Sequence, residues 1–454
     1  MAPLRRIDVV LDSVKRLQRI GASANLINLL QKQHPADLAE LFGELREKDC
    51  REALDLLLDH NSRLAMEALV EYGPEPGAAL LADHPPERLA SWLQELPSDD
   101  AAALIDELPQ AVSDAVLVQM RPRESGEVEN LLEYAEQTAG RIMNPTVFAL
   151  PEELTAGEAI QALQGSREVE MVFYLYVVDE RRHLVGVVSL RRLLLVVPET
   201  SLGRIMTTDL ISARVDTDQE EVAQSVANYN LLAVPVVDEE NKLVGIITVD
   251  DVIDIIKDEA TEDIYRLAGV SGDEHVFSPA RESVRKRLPW LAVNLVTATM
   301  AAFVVRAFQS TIDQVVMLAV LMTMVASMGG NAATQTLTII VRGIALGELT
   351  WGNSRRALFK EALVGFGHGL ALGTVGAGVA WLMSGNLVLG LILALAMVIN
   401  LLVAAIAATL IPIALRALKI DPALASAVFI TTLTDVFGFF AFLGLATIFL
   451  PYLL

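Results

Sequence analysis

The spacing of apolar residues changes twice along the chain, and each type of spacing predicts a different class of element. In residues 1–136, leucines recur every three or four positions, as in HPADLAELFGEL from His34 and HPPERLASWLQEL from His84. Such segments begin with Pro or with a Ser or Asp cap, which is typical of short amphipathic helices stacked as hairpins. The pattern predicts a helical N-domain shaped as a small superhelix, and its simplest interpretation is a scaffold.

An internal repeat follows this helical part. VVDERRHLVGVVSL from Val177 and VVDEENKLVGIITV from Val236 are offset by 59 residues and agree at seven of fourteen positions, with an Ile-Met pair upstream of each. Each unit predicts strand, helix, strand, turn, strand and helix, with apolar strands suited to burial in a sheet. The repeat resembles a tandem pair of CBS domains over residues 137–257, and members of that family often bind adenine nucleotides in the cleft between the halves.

Five long apolar stretches occupy the C-terminal part, which begins at about Leu288. They are numbered here as spans one to five and cover roughly residues 288–308, 314–341, 361–383, 387–415 and 424–450. Each has the roughly 20 residues that a helix needs to cross a bilayer core. The predicted fold class is therefore a multidomain α plus α/β membrane protein. Residues 258–287 connect the CBS pair to a five-helix transmembrane domain over 288–454.

Charge is distributed as unevenly as hydropathy. The chain has 57 acidic and 35 basic residues, but only five of the acids and seven of the bases lie from Leu288 onward, so the preceding part carries about −24. Such an anionic half repels nucleic acid and anionic lipid headgroups, and its expected partners are cations or basic proteins. The single cysteine, Cys50, and the lack of a signal-peptide h-region favour a cytosolic location for this half.

Loop charges predict the orientation in the membrane. Two loops carry cations, one between spans two and three and the other between spans four and five: Arg342, Arg355, Arg356, Lys360, Arg416 and Lys419. The positive-inside rule then places the N-terminus in the cytosol and the C-terminus outside the cytoplasmic membrane. Arg306, at the outer end of span one, is an exception to this rule.

Asp435 is the only acidic residue deep in a span, within FITTLTDVFGFF. An ionised carboxylate there costs several kcal/mol unless water, a cation or a partner compensates it, so we expect a pore site, with Thr431 and Thr432 lining it. The alternative is a structural ion pair with Arg342 or Arg306, although both arginines lie near span ends.

Span two contains the polar run SMGGNAATQTLT, with Gly329, Gly330 and Asn331. Polar side chains are costly against lipid, so this run should line a wet cavity, with small-residue helix packing as the alternative. One carboxylate cannot surround a cation, whereas two Asp435 side chains related by a twofold axis can flank one, which favours a homodimer. Mg²⁺ keeps its water and is contacted by one or two carboxylates, which suits such a site.

The segment that connects the soluble and membrane parts is strongly acidic. In TVDDVIDIIKDEATEDIYRLAG, Asp251, Asp254, Asp258 and Glu262 recur at three- to four-residue intervals. Like charges at this spacing destabilise a helix unless a cation meets them. The alternatives are a solvated acidic face or a gating switch bridged by divalent cations.

Three motifs together carry a resemblance that covers the whole chain: TAGRIMNP from Thr138, SMGGNAATQTLTIIVRG from Ser327 and DPALASAVFITTLTD from Asp421. With the acidic N-domain, the CBS pair and the five spans, they resemble the MgtE family of magnesium channels and transporters. The resemblance implies a homodimer with a pore on the twofold axis and its aspartate at Asp435. It also implies a plug helix within residues 258–287 that closes the pore when cytosolic Mg²⁺ is bound.

The resemblance assigns further roles residue by residue. The acids matching the family's magnesium sites are Asp100, Asp216, Asp218, Asp250, Asp258, Glu259, Glu262 and Asp421, and Ala427 joins the expected pore lining. Thr248 and Asp251 form the T-x-x-D pattern that contacts nucleotide ribose, so ATP is a possible cofactor. The first unit has Ser189-Leu-Arg-Arg192 there and lacks the acid. Thr323, Ala333 and Ala427-Val428 depart from the family pattern.

The predicted function is import of Mg²⁺ across the cytoplasmic membrane by a channel or transporter that cytosolic Mg²⁺ closes. No nucleophile–base pair, P-loop or HExxH pattern occurs in the sequence, so we expect no enzymatic activity. One alternative is a CBS-regulated carrier for another divalent ion or an anion, but anions fit poorly with Asp435. The other is a membrane-anchored sensor that conducts nothing, but an anchor needs no buried aspartate.

Overall fold

A computed structural model describes residues 6–166, 173–270, 274, 279–424 and 427–454. The chain forms two compact units, Met1–Ile255 and Ile256–Leu454. The first contains the predicted N-domain and CBS pair, and the second contains the five spans.

Ten short helices build the N-domain. They are α1 Arg6–Arg19, α2 Ser23–Leu30, α3 Pro35–Glu44, α4 Glu47–His60, α5 Ser62–Tyr72, α6 Pro74–Leu81, α7 Pro86–Leu93, α8 Ser98–Asp106, α9 Gln110–Gln119 and α10 Pro122–Glu133. Four of them begin with Pro at the first helical position, where its missing N–H costs nothing. The periodic leucines form the core, with Leu38, Leu54 and Leu89 fully buried. The predicted stacking of helical hairpins is confirmed, since α3 packs on α5, α5 on α7 and α7 on α9.

The repeat forms two small sheets of identical topology. The first unit has α11 Ala139–Ile142, β1 Ala149–Pro151, α12 Ala156–Gly165, β2 Tyr174–Val178, β3 Leu184–Ser189 and α13 Leu190–Leu195. The second has α14 Leu202–Ile205, β4 Ala213–Arg214, α15 Gln219–Tyr229, β5 Ala233–Val237, β6 Leu243–Thr248 and α16 Val249–Ala268. In each sheet the first strand is parallel to the second, which pairs antiparallel with the third. This is the predicted element order.

The residues shared by the two repeats close equivalent turns and form contacts between the two halves. Asp179 and Asp238 occupy equivalent hairpin turns, and each carboxylate accepts two backbone N–H groups at 2.8–2.9 Å. The methionine of each Ile-Met pair packs against a glycine of the other repeat. A Cβ at Gly245 would overlap Met143, and one at Gly186 would overlap Met206. The glycines in both copies of the repeat therefore make room for a methionine from the opposite half.

The connecting segment differs from the predicted 258–287 helix. In the described residues, α16 ends at Ala268, and α17 runs without interruption from Ala280 to Ala307. The charged residues before Leu288 thus form the first two turns of the span-one helix, because a helix can extend beyond the apolar core into water. Residues 271–273 and 275–278 of the predicted plug helix lie outside the described residues.

Among the described residues of the second unit, five helices are long and apolar enough to cross a membrane. They are α17, α19 Met317–Ala345, α20 Ser354–Ser384, α21 Leu387–Ala417 and α22 Ala427–Ile448, with the short helix α18 Gln309–Gln314 between the first two. Gly365, Gly369 and Gly373 of α20 lie directly against the backbone of α21, as small residues at four-residue spacing allow. The helix α22 packs against α17, α19 and α21.

Candidate functional site

Asp435 lies in the third turn of α22 and is partly exposed. Within the described residues, no Lys, Arg or His lies within ion-pair distance of its carboxylate, and neither Arg342 nor Arg306 contacts it. The alternative of a structural ion pair is therefore absent from this arrangement. An ionised carboxylate at this position would need water or a cation to compensate its charge.

Threonines precede Asp435 and satisfy their own hydroxyl protons within α22. Thr431 and Thr432 both donate to the carbonyl of Val428, at 3.1 and 2.7 Å, and Thr434 donates to that of Thr431 at 2.8 Å. Their oxygens remain acceptors that can receive hydrogen bonds from a hydrated ion. Gly330 of α19 lies against Thr431, so spans two and five meet next to this run.

The polar residues of α19 form a continuous stripe on its surface. Its members are exposed and share one face of the helix, since each has another member three or four residues away: Thr323, Ser327, Asn331, Thr334, Gln335 and Thr338. The helix is continuous through Gly329 and Gly330. Asn331 is exposed within this stripe, and its place in a wet lining stays a prediction.

Gly329 has a different environment from the expected pore lining. It is buried, and a Cβ there would overlap the side chain of Asn400 from α21. Gly329 therefore supports close packing of spans two and four, which is the alternative that the sequence left open. For Ala427, only the backbone belongs to the described residues.

Glu361 is a membrane-helix carboxylate that sequence reasoning did not single out. It is 3% exposed, accepts a hydrogen bond from Thr336 at 3.3 Å and pairs with Lys360 at 2.5 Å. Thr336 belongs to the polar run of span two, but it is buried rather than part of the stripe. The sequence did not single out Glu361 because the residue lies at the predicted start of span three, and an acid at the end of a span is usually hydrated.

Three carboxylates converge in the first unit, and one of them was missed. Asp99 and Asp100 begin α8, and Asp251 lies in the first turn of α16. Burial, followed by the nearby charges of Asp100 and Asp251, raises the pKa of Asp99 well above its usual value. Burial also raises the pKa of Asp251, although a hydrogen bond from Thr248 opposes this. No sequence pattern distinguished Asp99, since acids are ordinary in a first helical turn.

Thr248 and Asp251, the two residues of the T-x-x-D pattern, interact directly. The Thr248 hydroxyl donates to Asp251 at 2.7 Å. In the first repeat, the Ser189 hydroxyl accepts the backbone N–H of Arg192 at 3.3 Å. Only the second repeat therefore presents a hydroxyl and a carboxylate together.

Two other acids predicted as magnesium ligands in the first unit have local partners within the protein. Asp216 pairs with Arg214 at 3.2 Å, and Asp218 caps α15 by accepting the N–H of Glu220 at 2.8 Å. Asp250 is exposed beside Asp251. The structure thus gives Asp218 a capping role, which stabilises a helix without a metal.

In the second unit, Arg266 joins two of the predicted ligands. Its guanidinium pairs with Glu262 one turn earlier in α16 and with Asp421 in the turn before α22. Asp258 and Glu259 lie on the same helix. Among the described residues, no group of three or more His, Cys, Asp or Glu side chains is arranged to hold a metal ion.

Known protein families match the N-domain, the CBS pair and most of the membrane unit. A family described as a divalent cation transporter, MgtE, matches residues 322–445, and the MgtE intracellular N domain matches residues 33–137. CBS domains match residues 139–199 and 202–258. The magnesium transporter MgtE of Bacillus subtilis is 37% identical over 335 residues, which cover 74% of each chain. The chain belongs to the MgtE family of magnesium transporters.

Further MgtE proteins agree with this assignment. The magnesium transporter MgtE of Thermus thermophilus is 37% identical over 333 residues, covering 72% of this chain and 74% of the relative. A crystal structure described as the cytosolic domain of the Mg²⁺ channel MgtE in complex with ATP is 38% identical, with a TM-score of 0.51. The match covers 54% of this chain and 99% of that one.

Membership of the MgtE family confirms three predictions from the sequence. The resemblance was to the correct family, the fold combines a helical N-domain, a CBS pair and five candidate spans, and the protein is a transporter rather than an enzyme. Magnesium is here the transported substrate. The roles of Asp435 and of the acidic residues remain predictions.

Proposed function

We propose that two copies of this protein form a pore for Mg²⁺ in the cytoplasmic membrane, with the paired Asp435 carboxylates as the central ion site. The observation that carries the proposal is the partly exposed Asp435, which has no ion-pair partner among the described residues. A carboxylate in this position attracts a cation, and an inside-negative potential of 100 mV favours its entry by about 2.3 kcal/mol per charge. Hydrated Mg²⁺ then contacts the carboxylates through retained water.

The exposed polar stripe of α19 supports a dimer. Facing lipid, Asn331 and Gln335 would leave amide groups without hydrogen-bond partners, which costs several kcal/mol. A second copy related by a twofold axis would enclose the stripe and Asp435 in a shared, water-filled passage. The cationic loops favour a cytosolic N-terminus and an outer C-terminus.

Cytosolic Mg²⁺ closes this pore in the proposed mechanism. Asp99, Asp100 and Asp251 repel one another in the first unit, and Asp258, Glu259 and Glu262 continue the negative charge along α16. A divalent cation lowers this repulsion and stabilises the arrangement in which it is bound, which shifts the population toward the closed state. ATP binding near Thr248 and Asp251 is part of the proposal, because the similar cytosolic domain was solved with ATP.

Ion flux into liposomes tests the pore assignment. The purified protein is reconstituted at low internal Mg²⁺, and uptake is measured with a magnesium-sensitive dye for the parent, D435N and D435A. We expect both substitutions to lower uptake by about tenfold or more, since they remove the charge that attracts the cation. The matched control is D313N, because Asp313 is an exposed acid of α18 outside the span helices. Parental uptake by D435A would contradict the proposal.

A further inference from the structure

Asn400 is the single polar side chain in the central part of α21. It is 1% exposed and lies in a helix whose other buried residues near it are Ala, Leu and Met. Its Nδ2 donates a hydrogen bond to the carbonyl of Val325 in α19, at 2.9 Å. Asn400 therefore links spans four and two at membrane depth.

Two glycines from different spans create the space for this amide. A Cβ at Gly329 of α19 or at Gly438 of α22 would overlap the Asn400 side chain. Gly329 precedes Gly330, which lies against Thr431, and Gly438 follows Asp435 by three residues, somewhat less than one helical turn. Asn400 is thus wedged between the two helices that carry the proposed ion site.

The buried amide of Asn400 costs folding free energy in this position. Its Oδ1 is buried, and no donor reaches it among the described residues. Leucine has a similar size and branches at the same carbon, so it would fill the space without an unsatisfied acceptor. Packing alone therefore does not explain an asparagine here.

We infer that Asn400 is a positioning residue that sets the distance and rotation of α19 relative to α22, and thereby the width of the passage beside Asp435. The inference rests on the proposed function, because it concerns the geometry of the proposed ion site. The amide fixes α19 through the Val325 carbonyl, and the two glycine contacts allow both helices to approach it closely. Its substitution should change which hydrated cations pass.

Size complementation tests the contact with Gly438. Mg²⁺ uptake into liposomes is measured for N400A, G438A and the double variant N400A/G438A. We expect G438A to lower Mg²⁺ uptake by roughly tenfold. The double variant N400A/G438A should take up Mg²⁺ about threefold faster than G438A, because the smaller side chain at position 400 makes room for the added methyl group. The matched control is G378A, because Gly378 of α20 has open space beside it. Additive losses in the double variant would overturn the inference.

Selectivity separates positioning from mere packing. For N400L, the ratio of Mg²⁺ to Ca²⁺ permeability is obtained from reversal potentials in a planar bilayer, and thermal unfolding is recorded for the same preparation. We expect a ratio changed by about threefold or more with a melting temperature that does not fall. A parental ratio in a folded N400L protein would refute the positioning role. If D435A conducts like the parent while N400L still changes the ratio, the proposed ion site fails and the role of Asn400 stands.

Discussion

The guanidinium of Arg266, near the end of α16, forms an ion pair with the carboxylate of Asp421, although 155 positions separate the two residues in sequence. The same guanidinium pairs with Glu262. All three side chains are between one quarter and one third exposed, so the charges are partly screened by water. A cation that belongs to the protein thus neutralises two carboxylates that are expected to bind Mg²⁺.

Removing this cation should strengthen the response to cytosolic Mg²⁺. In R266Q, Glu262 and Asp421 lose their partner and become a better site for a divalent ion. We expect the Mg²⁺ concentration for half-maximal closure, measured by single-channel recording, to fall by roughly three- to tenfold. R355Q is the matched control, because Arg355 is exposed in the first turn of α20. An unchanged or higher concentration in R266Q would show that Arg266 and Mg²⁺ do not compete.

The raised pKa of Asp99 predicts a pH-dependent stability of the first unit. A carboxyl whose pKa is higher in the folded state favours folding when protonated, and this contribution is lost as the pH rises through the folded-state pKa. In EDTA, the melting temperature of the full-length protein should therefore decrease as the pH is raised above the usual range of an aspartate. D99N should melt at a higher temperature at neutral pH, by about 2–4 °C for each kcal/mol gained.

The D99N substitution should also reduce the stabilisation of the protein by Mg²⁺. Added Mg²⁺ is expected to stabilise the parent more than D99N, because the substitution has already relieved part of the repulsion with Asp100 and Asp251. D209N provides the control, since Asp209 is exposed in the same unit. Equal stabilisation of the parent and D99N by Mg²⁺ would exclude Asp99 from the regulatory site.

The exposed stripe of α19 should matter for conduction but not for folding. N331L removes a polar side chain that would otherwise contact water in the proposed passage, so Mg²⁺ uptake should drop by about tenfold while the melting temperature stays within a few degrees. T374V is the matched control, because Thr374 is an exposed polar residue on α20. A folded N331L with parental uptake would place the stripe outside the passage.

Periodicity and repetition predicted most of the fold. The 59-residue offset between the two copies of the repeat predicted the same order of strands and helices along both units, and equivalent residues do close equivalent turns. Hydropathy located the five span helices, and the isolation of Asp435 among apolar residues pointed to the candidate ion site. These signals are local, so one sequence suffices to detect them.

The remaining features depend on contacts between distant segments. Arg266 and Asp421 are ordinary charged residues until the fold brings them together, and the same is true of Asp99 and Asp251. Asn400 is one polar residue in an apolar run, a pattern that does not reveal its packing against two glycines. The break between α16 and α17 was missed because both sides of it are helix-forming.

Nucleotide binding should depend on the second repeat more than on the first. T248V keeps the size of Thr248 but removes the hydroxyl that holds Asp251 at 2.7 Å, so the Kd for ATP should rise by roughly three- to tenfold in titration calorimetry. S189A alters the equivalent position of the first repeat, which has no carboxylate partner, and should bind ATP like the parent. The opposite order of effects would place the nucleotide at the first repeat.

The pair formed by Lys360 and Glu361 predicts an unequal effect of removing either charge. Glu361 is 3% exposed, whereas the side chain of Lys360 is 60% exposed, so water can solvate the ammonium group but not the carboxylate. In K360Q the buried carboxylate of Glu361 loses its ion pair, and among the described residues it keeps the hydrogen bond from the Thr336 hydroxyl. This substitution should lower the free energy of unfolding by about 1–3 kcal/mol. E361Q should lower the free energy of unfolding by less, because the glutamine oxygen can still accept the hydrogen bond from Thr336 and the lysine stays hydrated.

The double variant K360Q/E361Q should recover most of the free energy of unfolding lost in K360Q, as measured by urea unfolding in detergent. A larger loss in E361Q than in K360Q would contradict this explanation, because it would mean that the carboxylate stabilises the fold by more than its ion pair with Lys360.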